Sequence, residues 1–270
     1  MNTSGARLLD GKLDVIIASL SANQTFSILR AVPSARVELK TEGNTHAIVK
    51  IPALAAEQSF ESRIVVEYAT ATRSFQIDDT AFPRLADQSD DYCRPGRFWE
   101  TKDPLIKRTA ERIWASSHDV GNFLSNAFVW VRENIKLQEP QPTRLGAARA
   151  IRELAGDCDE LSDLFIAICR AASVPSRRIV GLFHHGRESG RRPFDWHAWA
   201  EVRAAGDTWI PFDPSLGFFA SISERHLPRC SVGRRSDYPI RKLTWRSRPD
   251  KPPVLNEDDI DSMTLLSGSA

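Results

Sequence analysis

No two of the four cysteines, Cys93, Cys158, Cys169 and Cys230, stand in a C-x-x-C pair. Their spacings fit neither a zinc site nor the dense disulfide framework of a small secreted domain. A reduced interior, and with it a cytoplasmic protein, is the expectation. No apolar run approaches the length of a membrane span, and the stretch nearest to a signal sequence, Val15 to Leu20, is short and follows Asp14. It reads as a strand, so no membrane partner is expected. Charge of neither sign is in excess: 36 Lys and Arg face 35 Asp and Glu, and the basic pairs Arg177-Arg178, Arg191-Arg192 and Arg234-Arg235 are scattered along the chain. That balance argues against nucleic acid as a partner. The acidic run Glu257 to Asp261 lacks the spacing of a calcium loop, and His184-His185 have no further ligands nearby, so no metal or other cofactor is expected.

What is present is enough apolar residue, 41% of 270, to close a packed core with a smaller second unit. From Leu13 to about Ile77 short extended runs alternate with turn residues: Val15 to Ile17, Thr25 to Leu29, Val37 to Leu39, Ala47 to Ile51 and Ile64 to Tyr68. Gly43-Asn44 marks a turn between two of them. These runs predict a small antiparallel β domain, followed by a linker rich in Asp and Pro from Asp78 to Gly96. Helical periodicity then begins. Asp103 can cap a helix that starts at Pro104 and buries Leu105, Ile106, Thr109, Ala110, Ile113 and Trp114. A second helix has the stripe Val120, Phe123, Leu124, Ala127, Phe128, Val131 and Ile135, and Pro140 and Pro142 end the pattern.

Gly156-Asp157-Cys158-Asp159-Glu160 precedes a third stripe, Leu161, Leu164, Phe165, Ile168, Cys169 and Ala172. Cys158 therefore falls in a first helical turn, with Asp157 and Glu160 in the form of a capping pair. Unpaired backbone N–H groups and the positive end of the macrodipole favour a thiolate there. Asp157, Asp159 and Glu160 oppose it, so a cationic partner is needed. The segment Phe194 to Val202 reads as a strand carrying His197. Thr208 to Asp213 reads as its hairpin partner across Ala204-Ala205-Gly206. Pairing centred on Ala205 sets His197 opposite Asp213, and a bulge at Gly206 would shift that register. Trp196 and Trp199 face opposite sides of the strand, and either could wall a cleft. A nucleophile at a helix start, a base on a strand and an orienting carboxylate beside it follow the logic of cysteine acyl transfer. Cys169, on the same helical stripe, is a packing residue, and His226 is expected to make a structural hydrogen bond.

Gly156 to Glu160 with Cys169 to Arg177, then His197-Ala198-Trp199-Ala200-Glu201-Val202, then Trp209 to Ser215 resemble, in order, the three motif blocks of the transglutaminase-like superfamily. The likeness is to its bacterial and archaeal members and covers roughly Leu105 to Leu216. The strands around Gln24-Thr25-Phe26 and Gly43-Asn44 resemble the β domain often found ahead of such cores. The resemblance implies an α+β, papain-like fold with a Cys158-His197-Asp213 triad, organised as an N-terminal antiparallel β domain (1–82), a catalytic core (83–245) and a polar tail (246–270). It also implies acyl transfer from a peptide or protein amide through a Cys158 thioester. The hydrophilic loop Phe183 to Arg192, just before the strand of His197, would keep the cleft wet and favour hydrolysis. A protein-glutamine transamidase and a non-catalytic binding module with a retained triad are the alternatives, because the superfamily includes cross-linkers, peptidases, glycanases and inactive members. The Cys158 backbone N–H is one oxyanion donor. Gln138 is a candidate for the second by chemistry alone and otherwise a solvated loop residue.

Overall fold

The computed structural model describes residues 1–2, 7–77, 82, 90–186, 193–234 and 240–245. The expected tail, much of the expected linker and the Arg187 to Arg192 part of the hydrophilic loop lie outside the described residues. The N-terminal strands are β1 (Gly11–Ser19), β2 (Gln24–Val32), β3 (Ala35–Leu39), β4 (Asn44–Ile51), β5 (Arg63–Thr70) and β6 (Arg73–Ser74). Next come α1 (Pro104–Ala115), α2 (Val120–Asn134), β7 (Lys136–Leu137), α3 (Ala147–Glu153), β8 (Ala155–Gly156) and α4 (Cys158–Ala171). The chain continues through β9 (Ser176–His184), β10 (Phe194–Arg203), β11 (Trp209–Phe212), β12 (Ser221–Ile222), β13 (His226–Val232) and β14 (Arg241–Trp245). The α+β class expected from the sequence is the one observed.

One antiparallel sheet has the order β14-β1-β4-β3, so its last strand is supplied from the far end of the described chain. β2 and β5 form a separate antiparallel ribbon. The second sheet runs β11-β10-β9-β13, and α4 lies against β9 and β10 with α1, α2 and α3 packed on it from elsewhere. The two sheets meet where β13 packs on β1 and β4. Asn44 fixes this junction: its Nδ2 donates to the Ser231 carbonyl at 2.8 Å and its Oδ1 accepts from the Ser231 N–H at 2.8 Å. Among the described residues no helix is long and apolar enough to cross a membrane.

Local chemistry explains the helix starts. Asp103 accepts from the Leu105 N–H at 2.9 Å with Pro104 at the first position, and Asp119 accepts from Asn122 at 2.7 Å. α3 has no side-chain cap, starts after Gly146 and is only 7 residues long, so neither end nor period announces it in the sequence. Residues 90–96 are not a free linker. Cys93 is buried, and the Arg170 guanidinium donates to the Arg94 carbonyl at 2.7 Å.

α4 departs from the expected one-sided stripe, because every residue from Glu160 to Arg170 is buried. Polar side chains inside it must therefore find partners. Ser162 Oγ donates to the Ala198 carbonyl at 3.0 Å, and Arg170 donates to the carbonyls of Ser176 and Gly233. Asp163 accepts from Trp99 Nε1 at 2.9 Å and from the forked Arg144 guanidinium at 2.6 and 2.5 Å. Leaving such a buried carboxylate without its cation costs about 3–5 kcal/mol.

The capping pair is present. Asp157 accepts from the Asp159 N–H at 2.8 Å, and Glu160 accepts from the N–H groups of Asp157 at 3.2 Å and Leu145 at 2.7 Å. Burial, with Asp157 close by, pushes the Glu160 carboxyl up to about 7. A raised carboxyl binds a proton more tightly folded than unfolded. Its contribution to stability is therefore full below its ordinary range and is lost as pH rises through about 7. Chemical denaturation at pH 5 and pH 8 is expected to show wild type losing more stability over that interval than Glu160→Gln. Equal losses would contradict the assignment.

Candidate active site

Cys158 is the first residue of α4 and the one partly exposed cysteine, the other three being buried. Burial drives the Cys169 thiol well above its ordinary range and pushes Cys230 up to about 12. These two are inert thiols, as expected for Cys169. The carboxylates beside Cys158 are all engaged. Asp157 caps the helix and also accepts from the Gln141 N–H at 2.7 Å, Glu160 completes the cap, and Asp159 pairs with Arg178 at 2.5 Å. Arg178 is buried under α4, also faces Asp163 at 3.8 Å, and interacts electrostatically with Cys158 itself. The basic pair that looked like scattered surface charge thus splits across β9. Arg178 faces the Cys158 end of α4, and Arg177 pairs with Glu201 at 2.7 Å on the other face.

His197 lies buried on β10. Its Nε2 is 2.7 Å from Asp213 Oδ2. Since an ionised carboxylate can only accept, Nε2 carries the hydrogen. Cys158 also acts electrostatically on the imidazole, and with Nε2 taken by Asp213 the nitrogen left for it is Nδ1. Burial would lower the imidazole pKa, but the charge and hydrogen bond of Asp213, together with Cys158, outweigh it and raise His197 to about 10. The surroundings of the ring thus favour its charged form.

The expected register is off by two residues. β10 pairs with β11 through Ala200↔Phe212 and Val202↔Ile210, and the Ala204 N–H donates to the Thr208 carbonyl, so the hairpin is centred on Gly206. Gly206 and Asp207 take φ of 66° and 57°, two successive left-handed residues that lengthen the turn. His197 and Asp213 consequently meet as diagonal neighbours on one face, close enough for the 2.7 Å bond.

Asp213 is held from both oxygens. Oδ1 accepts from the Ser215 N–H at 3.0 Å, Ser215 Oγ at 2.6 Å and the Leu216 N–H at 3.0 Å, and Oδ2 accepts from His197 and from His226 at 3.1 Å. Burial alone would raise this carboxyl, but the two histidines hold it well below the usual carboxylate range. Trp199 is fully buried and stacks on His197 at 6.0 Å, whereas Trp196 is exposed, so Trp199 is the core member of the pair. Room for the Trp199 ring comes from Gly181, where a Cβ would sit 2.3 Å from the Leu227 carbonyl oxygen and 2.8 Å from that ring. Gln138 is exposed, and its backbone N–H is bonded to the Gly156 carbonyl at 2.8 Å.

Possible ligand atoms converge within 4.8 Å in two sets among the described residues, His197-Asp213-His226 and Asp157-Cys158-Asp159. In both sets the hydrogen bonds and ion pair above account for the geometry without an ion. Arg178, Ser215 and Trp99 also belong to these contacts without having stood out in the sequence, and His226 makes the structural hydrogen bond expected of it, but to Asp213 of the site. Ser215 lies within a motif block, but the other three converge only through tertiary packing.

Residues 107–214 match the sequence model of the transglutaminase-like superfamily. The uncharacterized protein YebA of Bacillus subtilis is 24% identical over 209 residues, 69% of this chain, and the match spans only 28% of YebA. A solved structure of a candidate cysteine protease from Cytophaga hutchinsonii covers 93% of this chain and 91% of its own at a TM-score of 0.57 and 17% identity, which shows a shared fold. The periplasmic domain of TgpA from Pseudomonas aeruginosa aligns over 76% of this chain and 69% of its own at a TM-score of 0.42 and 15% identity, too distant for the folds to be equated. The segment that the transglutaminase-like superfamily model matches, 107–214, is the one that carries Cys158, His197 and Asp213.

Proposed function

We propose that the protein is a cysteine-dependent acyl-transfer enzyme acting on an amide bond of a peptide or protein, with Cys158 as nucleophile, His197 as acid and base and Asp213 as the group that orients His197. The observation that carries this reading is a partly exposed thiol at a helix start together with a buried His197 that it influences and whose Nε2 lies 2.7 Å from the Asp213 carboxylate. The Cys158 sulfur attacks the amide carbonyl carbon. Negative charge develops on the carbonyl oxygen next to the Cys158 N–H and the positive end of α4. As the C–N bond breaks, the His197 Nδ1 proton passes to the leaving amine and a thioester remains. Water then gives a proton to His197 and attacks the thioester, releasing the acid and restoring the thiolate and imidazolium pair. Gln138, joined through its backbone to Gly156, is the candidate for the second oxyanion donor.

Hydrolysis is the favoured outcome in this reading. Transfer to an amine needs a channel that admits the amine and excludes water, whereas the described flank of β10 is polar, with His185 against Asp195 at 3.1 Å. A cytoplasmic setting belongs to the same proposal, supported by Cys158, Cys169 and Cys230, which stand outside any disulfide.

Cys158→Ala is expected to abolish turnover of a glutamine-peptide or ester donor with the fold intact. His197→Ala should lower turnover at least about a hundredfold, and Asp213→Asn should retain residual activity because it orients and does not react. Comparable losses at Cys93 or Cys230 would contradict the assignment. With a millimolar primary amine added, free acid is expected to exceed amide product. The reverse ratio would move the chain to the cross-linking branch of the superfamily.

A further inference from the structure

We propose that His226 is a positioning residue of the site, a neutral histidine that donates to Asp213 Oδ2 and so fixes both the aim and the charge of the carboxylate that holds His197. The inference rests on the Cys158-His197-Asp213 reading above. It starts from an unusual sharing: His226 Nε2 lies 3.1 Å from the same Oδ2 that His197 contacts at 2.7 Å. The opposite ring nitrogen, Nδ1, lies 2.9 Å from Ser223 Oγ.

The hydrogen positions follow from what each partner can do. Asp213 can only accept, so His226 Nε2 carries hydrogen, while a serine hydroxyl can donate, so Nδ1 can remain bare and accept from Ser223. One neutral tautomer then satisfies every polar atom of the ring. A second imidazolium would be unfavourable here. His226 has no exposed surface, is walled by Phe183, Trp199 and Phe218 with ring centroids 4.9 to 5.2 Å away, and would set a second cation beside His197. Burial first, and the His197 charge in addition, lower its pKa against the pull of Asp213. The cluster thus holds one anion and one cation, with His226 the uncharged member.

The segment bearing His226 is fixed from outside the superfamily core. Asn23, between β1 and β2, donates through Nδ2 to the His226 carbonyl at 3.1 Å and the Ser223 carbonyl at 3.5 Å. Gln24 donates to the Pro228 carbonyl at 2.7 Å. Contacts from the N-terminal strands therefore reach Asp213 through one ring. Two donors on Oδ2 draw part of its charge away from His197 and leave the oxygen no freedom to swing off the imidazole. Without His226 the undivided carboxylate charge falls on His197 and holds its proton more tightly.

The titratable groups around His197 are Cys158 from α4, Asp213 after β11 and His226 from β13. The test is the rate of Cys158 alkylation by iodoacetamide between pH 5 and pH 11, which needs no substrate. Wild type is expected to show two steps, the lower from formation of the thiolate and imidazolium pair and the upper from loss of the imidazolium proton. His226→Phe, which keeps a ring among the aromatics but removes the donor, should move the upper step up by about half a unit. His226→Gln, whose amide can replace the Nε2 donor, should move it back towards wild type. Ser223→Ala, which releases the tautomer, should shift it in the same direction by less and stands in if His226→Phe does not fold. Ring ¹⁵N spectra should show His226 as the neutral Nε2–H tautomer from pH 6 to pH 9.

A two-step wild type with superimposable variant profiles would overturn the role of His226 alone, as would a His226 ring that titrates within that range or carries hydrogen on Nδ1. A wild-type profile with the single step of a free thiol would remove the reading of Cys158 and His197, and this inference with it.

Discussion

The hydrogen bond between His197 and Asp213 is made where water does not reach, and the structure around it is arranged so that it can exist. A carboxylate that deep in a protein is costly to ionise unless donors surround it. Asp213 meets that condition with three donors on Oδ1 from the turn that follows it and two histidines on Oδ2. Once the anion is secured, the imidazole beside it keeps its proton despite burial. A protonated His197 is the cation that a thiolate at Cys158 requires. β11, β10 and β9 are neighbours in one sheet, and α4 packs on β10 and β9, which sets the strand of His197 against the helix that begins at Cys158.

Electrostatics on the helix side follows a different rule. Three acidic side chains flanking Cys158, those of Asp157, Asp159 and Glu160, look hostile to a thiolate, and each is diverted. Asp157 is spent on backbone N–H groups, Glu160 takes up a proton near neutrality, and Asp159 is paired with a buried arginine. The same contacts tie the chain at Gln141 and Leu145 to the start of α4. Fixing the nucleophile and fixing that neighbouring segment are thus one structural event. Arg178 stands between Asp159 and Asp163 and adds a permanent positive charge near the sulfur.

Much of this was readable in the chain because the signals were local. Alternation and turn residues marked the N-terminal strands, Asp103-Pro104 marked a helix start, and Gly156 to Glu160 marked both a cap and a nucleophile. The hairpin was recognised, but its centre was set at Ala205 because the left-handed Asp207 that lengthens the turn has no signature comparable to glycine. The face shared by His197 and Asp213 survived the error, since a slip of two residues preserves the side of the sheet. The stripe of α4 implies one buried face, whereas every residue from Glu160 to Arg170 is buried. Its charged residues sit inside because Arg144, Arg178 and Trp99 come from distant segments to meet them. For His226 the sequence supports only a structural hydrogen bond, without its partners. Its partners are a serine three residues back, a carboxylate thirteen residues back and an asparagine about two hundred residues earlier. No local pattern joins them.

The central claim is that Cys158 accepts an acyl group from the substrate. The most direct measurement is acid quenching of the protein shortly after mixing with an activated ester, followed by intact and peptide mass spectrometry. A single acyl adduct on the peptide that contains Cys158, removed by hydroxylamine as a thioester should be, is the predicted result. Absence of any adduct, or an adduct on Cys93, Cys169 or Cys230, would contradict it.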